Sequence, residues 1–446
     1  PEECEAVAID GDRVLINTNS PKIYSVPMPE MSADNRWYGT YRVSTFGNAE
    51  QRNAPEGYTP FMISTYCRHG IRHIDSSSVL PLVRKALEWG DSAGALTHTG
   101  ASALERLRML WPTVNLRTGD LTAGGSRQWQ TYAAKITAEY PEVMAPGAKV
   151  RAQSTNVMRT ARSMEAFNCA IASLTGIADV RGDVSSSFHT FLNPYANDCP
   201  TKLPIDESLR SHDGKWYALW RGFVERNIDL EEWLARIFTT PEAASPFDAV
   251  ELCAAMFTLR CAAPWLDRPE SFTELFTPEQ ADAMWEAENV RQYMQKGRHP
   301  VNMGRGWQQA GRILENIIDV ADSDIESGYR GLRMRFGHDG CMMALLALLD
   351  AGSWGESTSD LNRVKDIWQT WRIPMASRLN FVFFRNDAGH VLVKALLNGE
   401  EQHLPMPQHG RSGCYAWSDF RPYALRRVAA SLSALEVPPP LKPSHE

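Results

Sequence analysis

The sequence predicts an α/β fold: a mostly parallel central sheet with flanking helices and an inserted α-helical cap domain. Three observations predict it. Apolar runs at 61–66, 148–153 and 332–337 each read as a buried strand. Each leads into a short polar string and then into helical periodicity, the alternation of a parallel sheet. Between 193 and 330 no strand signal of comparable strength occurs, only helical patterns with polar connections.

The 446 residues are enough for two domains. The change of character along the chain assigns 1–194 and 296–446 to the α/β part and 195–295 to the cap. The first 60 residues, rich in Pro, Asn and Gly, read as an irregular approach arm. After the strand at 61–66 come helical patterns at 80–89, 104–110 and 128–140, the last opened by Gly124-Gly125-Ser126. The strand at 148–153 passes through Ser154-Thr155-Asn156 into a helix over 158–174. The helical patterns of the middle third are 216–238, 247–265, 277–294 and 302–320. The strand at 332–337 runs into His338-Asp339-Gly340 and an apolar helix, 342–349. A hairpin joins 379–385 to 390–397 across Asn386-Asp387-Ala388-Gly389. A last helix spans 422–435, before a Pro-rich tail.

The net charge of −7 argues against a general nucleic-acid or membrane-surface role. No window reaches the roughly 18 consecutive apolar residues of a membrane span. Because residue 1 is Pro rather than Met, removal of an N-terminal segment is expected. Cys253 and Cys261 lie eight apart on one expected helix. That is about 12 Å along its axis, too far for a bridge.

The chemistry concentrates in Cys67-Arg68-His69-Gly70-Ile71-Arg72-His73. Arg68 and Arg72 bracket His69, and Gly70 lets the backbone turn sharply beside it. Two guanidiniums that stay charged, set around an imidazole, suit a tetrahedral dianion attacked by a nitrogen nucleophile. A reactive loop past a strand's carboxyl end is where α/β folds place their chemistry. His69 and His73, four apart, would suit zinc on a helix, but the zincin pattern needs Glu where Gly70 stands. Arg68 and Arg72 would also repel a dication, so no metal is expected.

These residues resemble the histidine acid phosphatases, a branch of the phosphoglycerate-mutase-like superfamily that includes phytases. Residues 68–72 match the Arg-His-Gly-x-Arg signature, and three further matches follow in the family's order. They are Gly119-Asp120-Leu121-Thr122 with Gly125, then Arg159 with Ser163 and Phe167, and the distal pair His338-Asp339. His73, Asn398-Gly399-Glu400-Glu401 and Leu404-Pro405 look like the bacterial multiple inositol polyphosphate phosphatases. Those enzymes usually carry a distal His-Ala-Glu. This chain has His338-Asp339-Gly340, so Asp339 would be the acid, as in other phytases.

The resemblance implies an exported phosphomonoesterase that hydrolyses inositol polyphosphates such as phytate through a phosphohistidine, with no cofactor. His69 would be the nucleophile and Asp339 the proton donor. Arg68, Arg72, Arg159 and His338 would hold the phosphate oxygens. His73 would either contact a substrate phosphate or cover the loop. Lys296, Arg298, His299 and Arg305 form a basic cluster on a cap connection, either facing the cleft and binding substrate or a solvated helix end. The expected partner is a phosphorylated small molecule, with neither nucleic acid nor membrane. A broad-specificity acid phosphatase and a non-catalytic phosphate-binding protein of the same fold are the alternatives.

Overall fold

The structure, a computed structural model, describes residues 4–10, 13–18, 24–27, 35–44, 46, 54–74, 78–177, 179–202 and 211–433. The N-terminal segment is more regular than its composition suggests. Strands β1 (Cys4–Asp10), β2 (Arg13–Thr18) and β3 (Tyr24–Pro27) form an antiparallel sheet. Short Ala-Val-Ala-Ile and Val-Leu-Ile runs supply the β-branched residues. They are masked when Pro, Asn and Gly are averaged over 60 positions.

The main sheet contains β4 (Thr59–Arg68), β5 (Lys149–Ser154), β6 (Val180–Val184), β7 (Gly331–Gly337), β8 (Arg378–Arg385), β9 (Val391–Leu397) and the short β10 (Glu400–Glu401). Their spatial order is β10-β9-β8-β4-β7-β5-β6. β4, β7, β5 and β6 pair in parallel, whereas β8 runs antiparallel to both β4 and β9. Five of the six longer strands therefore point the same way. β4 is paired on both edges and buried from Pro60 onward, which is why it reads as an almost unbroken apolar run. Met62 and Tyr66 enter one hydrophobic cluster and Ile63 and Cys67 the other, the two-residue period of a strand covered on both faces.

On the Ile63 face lie helices α3 (Ala123–Glu139) and α4 (Met158–Thr175), whose Trp129, Tyr132 and Phe167 interlock with Phe336 of β7. On the other face, α9 (Gly311–Ser327) and α11 (Trp417–Leu432) pack on each other, and α11 packs on β8 and β9. A helical layer is built from α5 (Lys215–Asn227), α6 (Leu230–Ala235), α7 (Ala249–Ala262) and α8 (Pro278–Lys296). It also draws on α1 (Val79–Ser92), which packs on α7, and on α2 (His98–Val114).

Several expected bounds move for local reasons. The pattern at 216–238 is two helices, because the Asp229 side chain accepts from the Glu232 N–H and starts α6 afresh. The last helix begins at Trp417 rather than Pro422, drawn forward by ring contacts of Trp417 with Phe383 and of Phe420 with Phe381. Residues Gly306–Ala310 form a tighter turn, so the helix expected from 302 begins at Gly311. β6 was not anticipated: an exposed edge strand, Val-Arg-Gly-Asp-Val, carries little apolar signal. Cys253 and Cys261 share α7 and remain thiols, as their spacing predicts.

Candidate active site

β4 ends at Arg68 and β7 at Gly337, and the two residues are register partners across a parallel pairing. Their following loops therefore leave the sheet side by side. The His69 N–H donates to the Gly337 carbonyl (3.2 Å), and the His69 carbonyl accepts from Ala376 N–H (3.0 Å). The His69 ring Nδ1 lies 2.9 Å from the Gly70 carbonyl. A carbonyl only accepts, so Nδ1 carries the proton and Nε2 keeps its lone pair.

Glycine is required at two facing points here. A Cβ on Gly70 would lie 2.5 Å from the Gly125 carbonyl oxygen, and one on Gly125 would lie 2.2 Å from that of Ile71. The reactive loop thus rests directly on the first turn of α3, where Thr122 caps the helix. Ser163 on α4 ties the loop to Arg159. Its hydroxyl accepts from Gly70 N–H (3.1 Å) and lies 2.7 Å from the Arg159 carbonyl.

Arg68 is fully buried. Its guanidinium donates to the carbonyls of Thr40 and Ile373 and pairs with the Asp339 carboxylate at 2.9 Å. Arg72 donates to the His73 carbonyl and lies 5.6 Å from the Tyr41 ring centre. His338 precedes α10 (Asp339–Leu348), and its ring stands edge-on to His69 with centroids 5.8 Å apart. Asp339 opens α10 and also accepts from Gly340 N–H at 2.8 Å.

Charges follow from this packing. Burial, then Arg159, Arg68 and Arg72, hold the His69 pKa well below the usual imidazole value. Burial and Arg159 depress His338 as well, against the opposing pull of Asp339. For Asp339, burial acts to raise the pKa, but Arg68 and Arg72 together with the Gly340 N–H hold it low. The resting site has neutral imidazoles, an ionised Asp339 and three arginines.

Arg68, His69, Arg72, Arg159, His338 and Asp339 are thus gathered from three separated segments of chain. The remaining expected site residues divide. The His73 ring is buried under the loop, 3.5 Å from Asp267, so of its two expected roles the geometry fits covering the loop. Lys296 ends α8 with its Nζ 3.5 Å from the Tyr195 ring centre and its Cε against Gly340, beside Asp339. Arg298 is placed elsewhere: it pairs with Asp350 and donates to the Ala347 carbonyl at the far end of α10. That is about 12 Å along the helix from Asp339, so the expected substrate contact is corrected to a structural ion pair. His299 accepts from Val301 N–H within its own turn, and Arg305 lies in the next turn, outside the cavity lining.

A cavity of about 520 Å³ opens beside Arg72 and Asp339, between the sheet ends and the helical layer. Tyr41 and Thr40, from the segment read as an irregular arm, reach this site and carried no sequence signal. Among the described residues no three or more His, Cys, Asp or Glu side chains converge as metal ligands. No described helix is long and apolar enough to cross a membrane.

Comparison with known proteins bears on the family and the fold. Residues 38–398 match the family model of the histidine phosphatase superfamily (branch 2). A search of curated proteins returned no match. Among solved structures the chain is similar to a multiple inositol polyphosphate phosphatase of Bifidobacterium longum in complex with inositol hexasulfate. The identity is 18%, with 86% of this chain and 96% of that chain covered, at a TM-score of 0.73. It is also similar to the phytase from D. castellii (12% identity, 89% of this chain and 86% of that chain, TM-score 0.66). Hafnia alvei phytase is a more distant likeness (13%, 86% and 100%, TM-score 0.54). The family match spans most of the chain and contains the whole constellation at the ends of β4 and β7: the chain belongs to branch 2 of the histidine phosphatase superfamily.

Proposed function

We propose that the protein is a phosphomonoesterase that passes a phosphoryl group to His69 Nε2 and then to water. The observation that carries this is the His69 ring itself. Its Nδ1 proton is held by the Gly70 carbonyl, and the charges of Arg68, Arg72 and Arg159 act on it together. A neutral imidazole among cations is a ready nucleophile toward an anion. The three arginines and His338 would hold the nonbridging oxygens, where charge-assisted hydrogen bonds are strongest.

In the first step a bond forms from Nε2 to phosphorus and the bond to the ester oxygen breaks. Asp339 gives that oxygen a proton and the alcohol leaves. In the second step water attacks phosphorus, the bond from Nε2 to phosphorus breaks and returns its electron pair to the ring, water's proton passes to Asp339, and orthophosphate is released. Asp339 is ionised at rest through Arg68. An arriving phosphate competes for that guanidinium and adds negative charge, which raises the carboxyl toward protonation. Acidic medium is therefore the favourable condition.

The names of the similar structures support inositol polyphosphates such as phytate as the substrate class. A broad-specificity phosphomonoesterase is the second reading, favoured by the aromatic wall of the cavity. Both use the same residues, and both need no metal because the arginines supply the charge. The test is turnover of an inositol phosphate and of nitrophenyl phosphate in excess chelator. Activity should persist, and vanadate, a mimic of the five-coordinate phosphoryl group, should inhibit. Loss in chelator that a divalent ion restores would reject the proposal.

A further inference from the structure

The peptide group that joins Gly337 to His338 is held at both of its edges. Its carbonyl accepts from the His69 N–H, and its N–H donates to the Tyr66 hydroxyl, each at 3.2 Å. Tyr66 stands on β4, three residues before His69, and is fully buried. Its own O–H donates to the Leu192 carbonyl at 2.6 Å. A carbonyl only accepts, so the phenol proton points at Leu192 and a lone pair is left for the His338 N–H. Burial pushes the phenol pKa well above its usual value, so that proton stays in place.

The short turn His189–Leu192 that supplies this acceptor is fastened as well. The next residue, Asn193, accepts through Oδ1 from the Cys341 thiol at 3.8 Å, in the first turn of α10. Tyr66, the 192–193 segment, α10 and the 337–338 peptide therefore close a circuit around the backbone from which the His338 side chain departs. Gly337 explains why such a circuit is needed. A Cβ there would lie 2.2 Å from the Tyr66 hydroxyl oxygen, so the close approach demands glycine, the residue whose backbone turns most freely. In a trans peptide the carbonyl and the N–H point to opposite sides. With both bonded, the plane cannot rotate without breaking one of them. That rotation is the motion that would carry the His338 ring away from the His69 ring, whose centroid is 5.8 Å from its own.

We infer that Tyr66 is a positioning residue for phosphoryl transfer: through the 337–338 peptide, its hydroxyl sets the place at which the His338 ring meets a phosphate held beside His69. The inference rests on the phosphomonoesterase reading and adds to it a residue that never touches substrate.

The test is a double-mutant cycle on the full chain, with Tyr66→Phe made in the wild type and in His338→Ala. It is read as kcat/KM on nitrophenyl phosphate and as vanadate affinity by calorimetry, which needs no turnover. Tyr66→Phe keeps the buried ring and removes only the hydroxyl. In the wild-type background it should cost about tenfold in both readings. In His338→Ala it should cost about twofold at most, because the ring that it positions is gone. Gly337→Ala displaces the same peptide by crowding the hydroxyl, and it takes the place of Tyr66→Phe in the cycle if that variant does not fold. A folded Tyr66→Phe with wild-type kcat/KM and vanadate affinity, only its thermal midpoint lowered, would overturn the inference while leaving the phosphatase reading intact. Equal losses in the two backgrounds would do the same, since Tyr66 would then not act through His338. No turnover by the wild type would overturn the phosphomonoesterase reading, and this inference with it.

Discussion

Asp339 is held ionised by a guanidinium 2.9 Å away, so in the proposed reaction it would gain a donatable proton when a substrate phosphate claims Arg68. A polyol alkoxide is a poor leaving group and depends on that proton, whereas nitrophenolate departs without one. Asp339→Asn keeps the shape and removes the acid. Single-turnover rates on an inositol phosphate should fall by about 10²-fold or more, with a much smaller fall on nitrophenyl phosphate. Equal single-turnover losses would assign the leaving-group proton to another carboxylate. At this scale Arg68, His69 and Arg72 were legible because they are contiguous and chemically dense. Arg298 was not, because its partner Asp350 is 52 positions away and only the fold of α10 brings the two together. The aromatic wall was illegible for the same reason, since Trp216, Trp220 and Trp285 come from two helices that meet only in the packed layer.

The element that sets the geometry of the proposed nucleophile is the loop after β4, pressed against the first turn of α3. Gly70 and Gly125 face each other with no room for a side chain on either. Gly70→Ala must push the loop from α3 by a substantial part of an ångström, because the obstructing atoms are backbone. Displacement on that scale costs about 10²-fold in rate. We expect such a loss in kcat, together with a lowered thermal midpoint. Wild-type kcat in Gly70→Ala would show that the loop is less constrained than the contact implies. Strands β4 and β7 and the apolar α10 were readable from pattern alone, because burial on every side leaves continuous apolar runs. β6 and the α5–α6 break were not. An exposed edge strand has no such run, and one capping aspartate interrupts a helical period without disturbing it.

Across the whole molecule, burial is the first cause lowering the pKa of four histidines: His69, His73, His299 and His338. In the unfolded chain they titrate near the ordinary value of about 6.5. Below that pH the unfolded state binds protons that the native state refuses, so stability is lost as pH falls from about 6.5 toward the depressed native values. Asp339, whose native pKa is also depressed, adds stability that is present above about 3.9 and lost below it. The thermal midpoint should therefore drop steadily from pH 7 to pH 4, and His338→Gln should flatten that fall. Parallel curves for the wild type and the variant would contradict the charge assignment. Transfer of a phosphoryl group to His69 is the proposal that depends on the meeting of the segments around 68–72, 159 and 338–339. It is tested most directly by mixing enzyme with substrate labelled in its phosphate and quenching within one turnover in alkaline denaturant, where phosphohistidine survives. The account predicts label on the wild-type protein, lost on acid treatment, and none on His69→Ala; equal labelling of His69→Ala would contradict it.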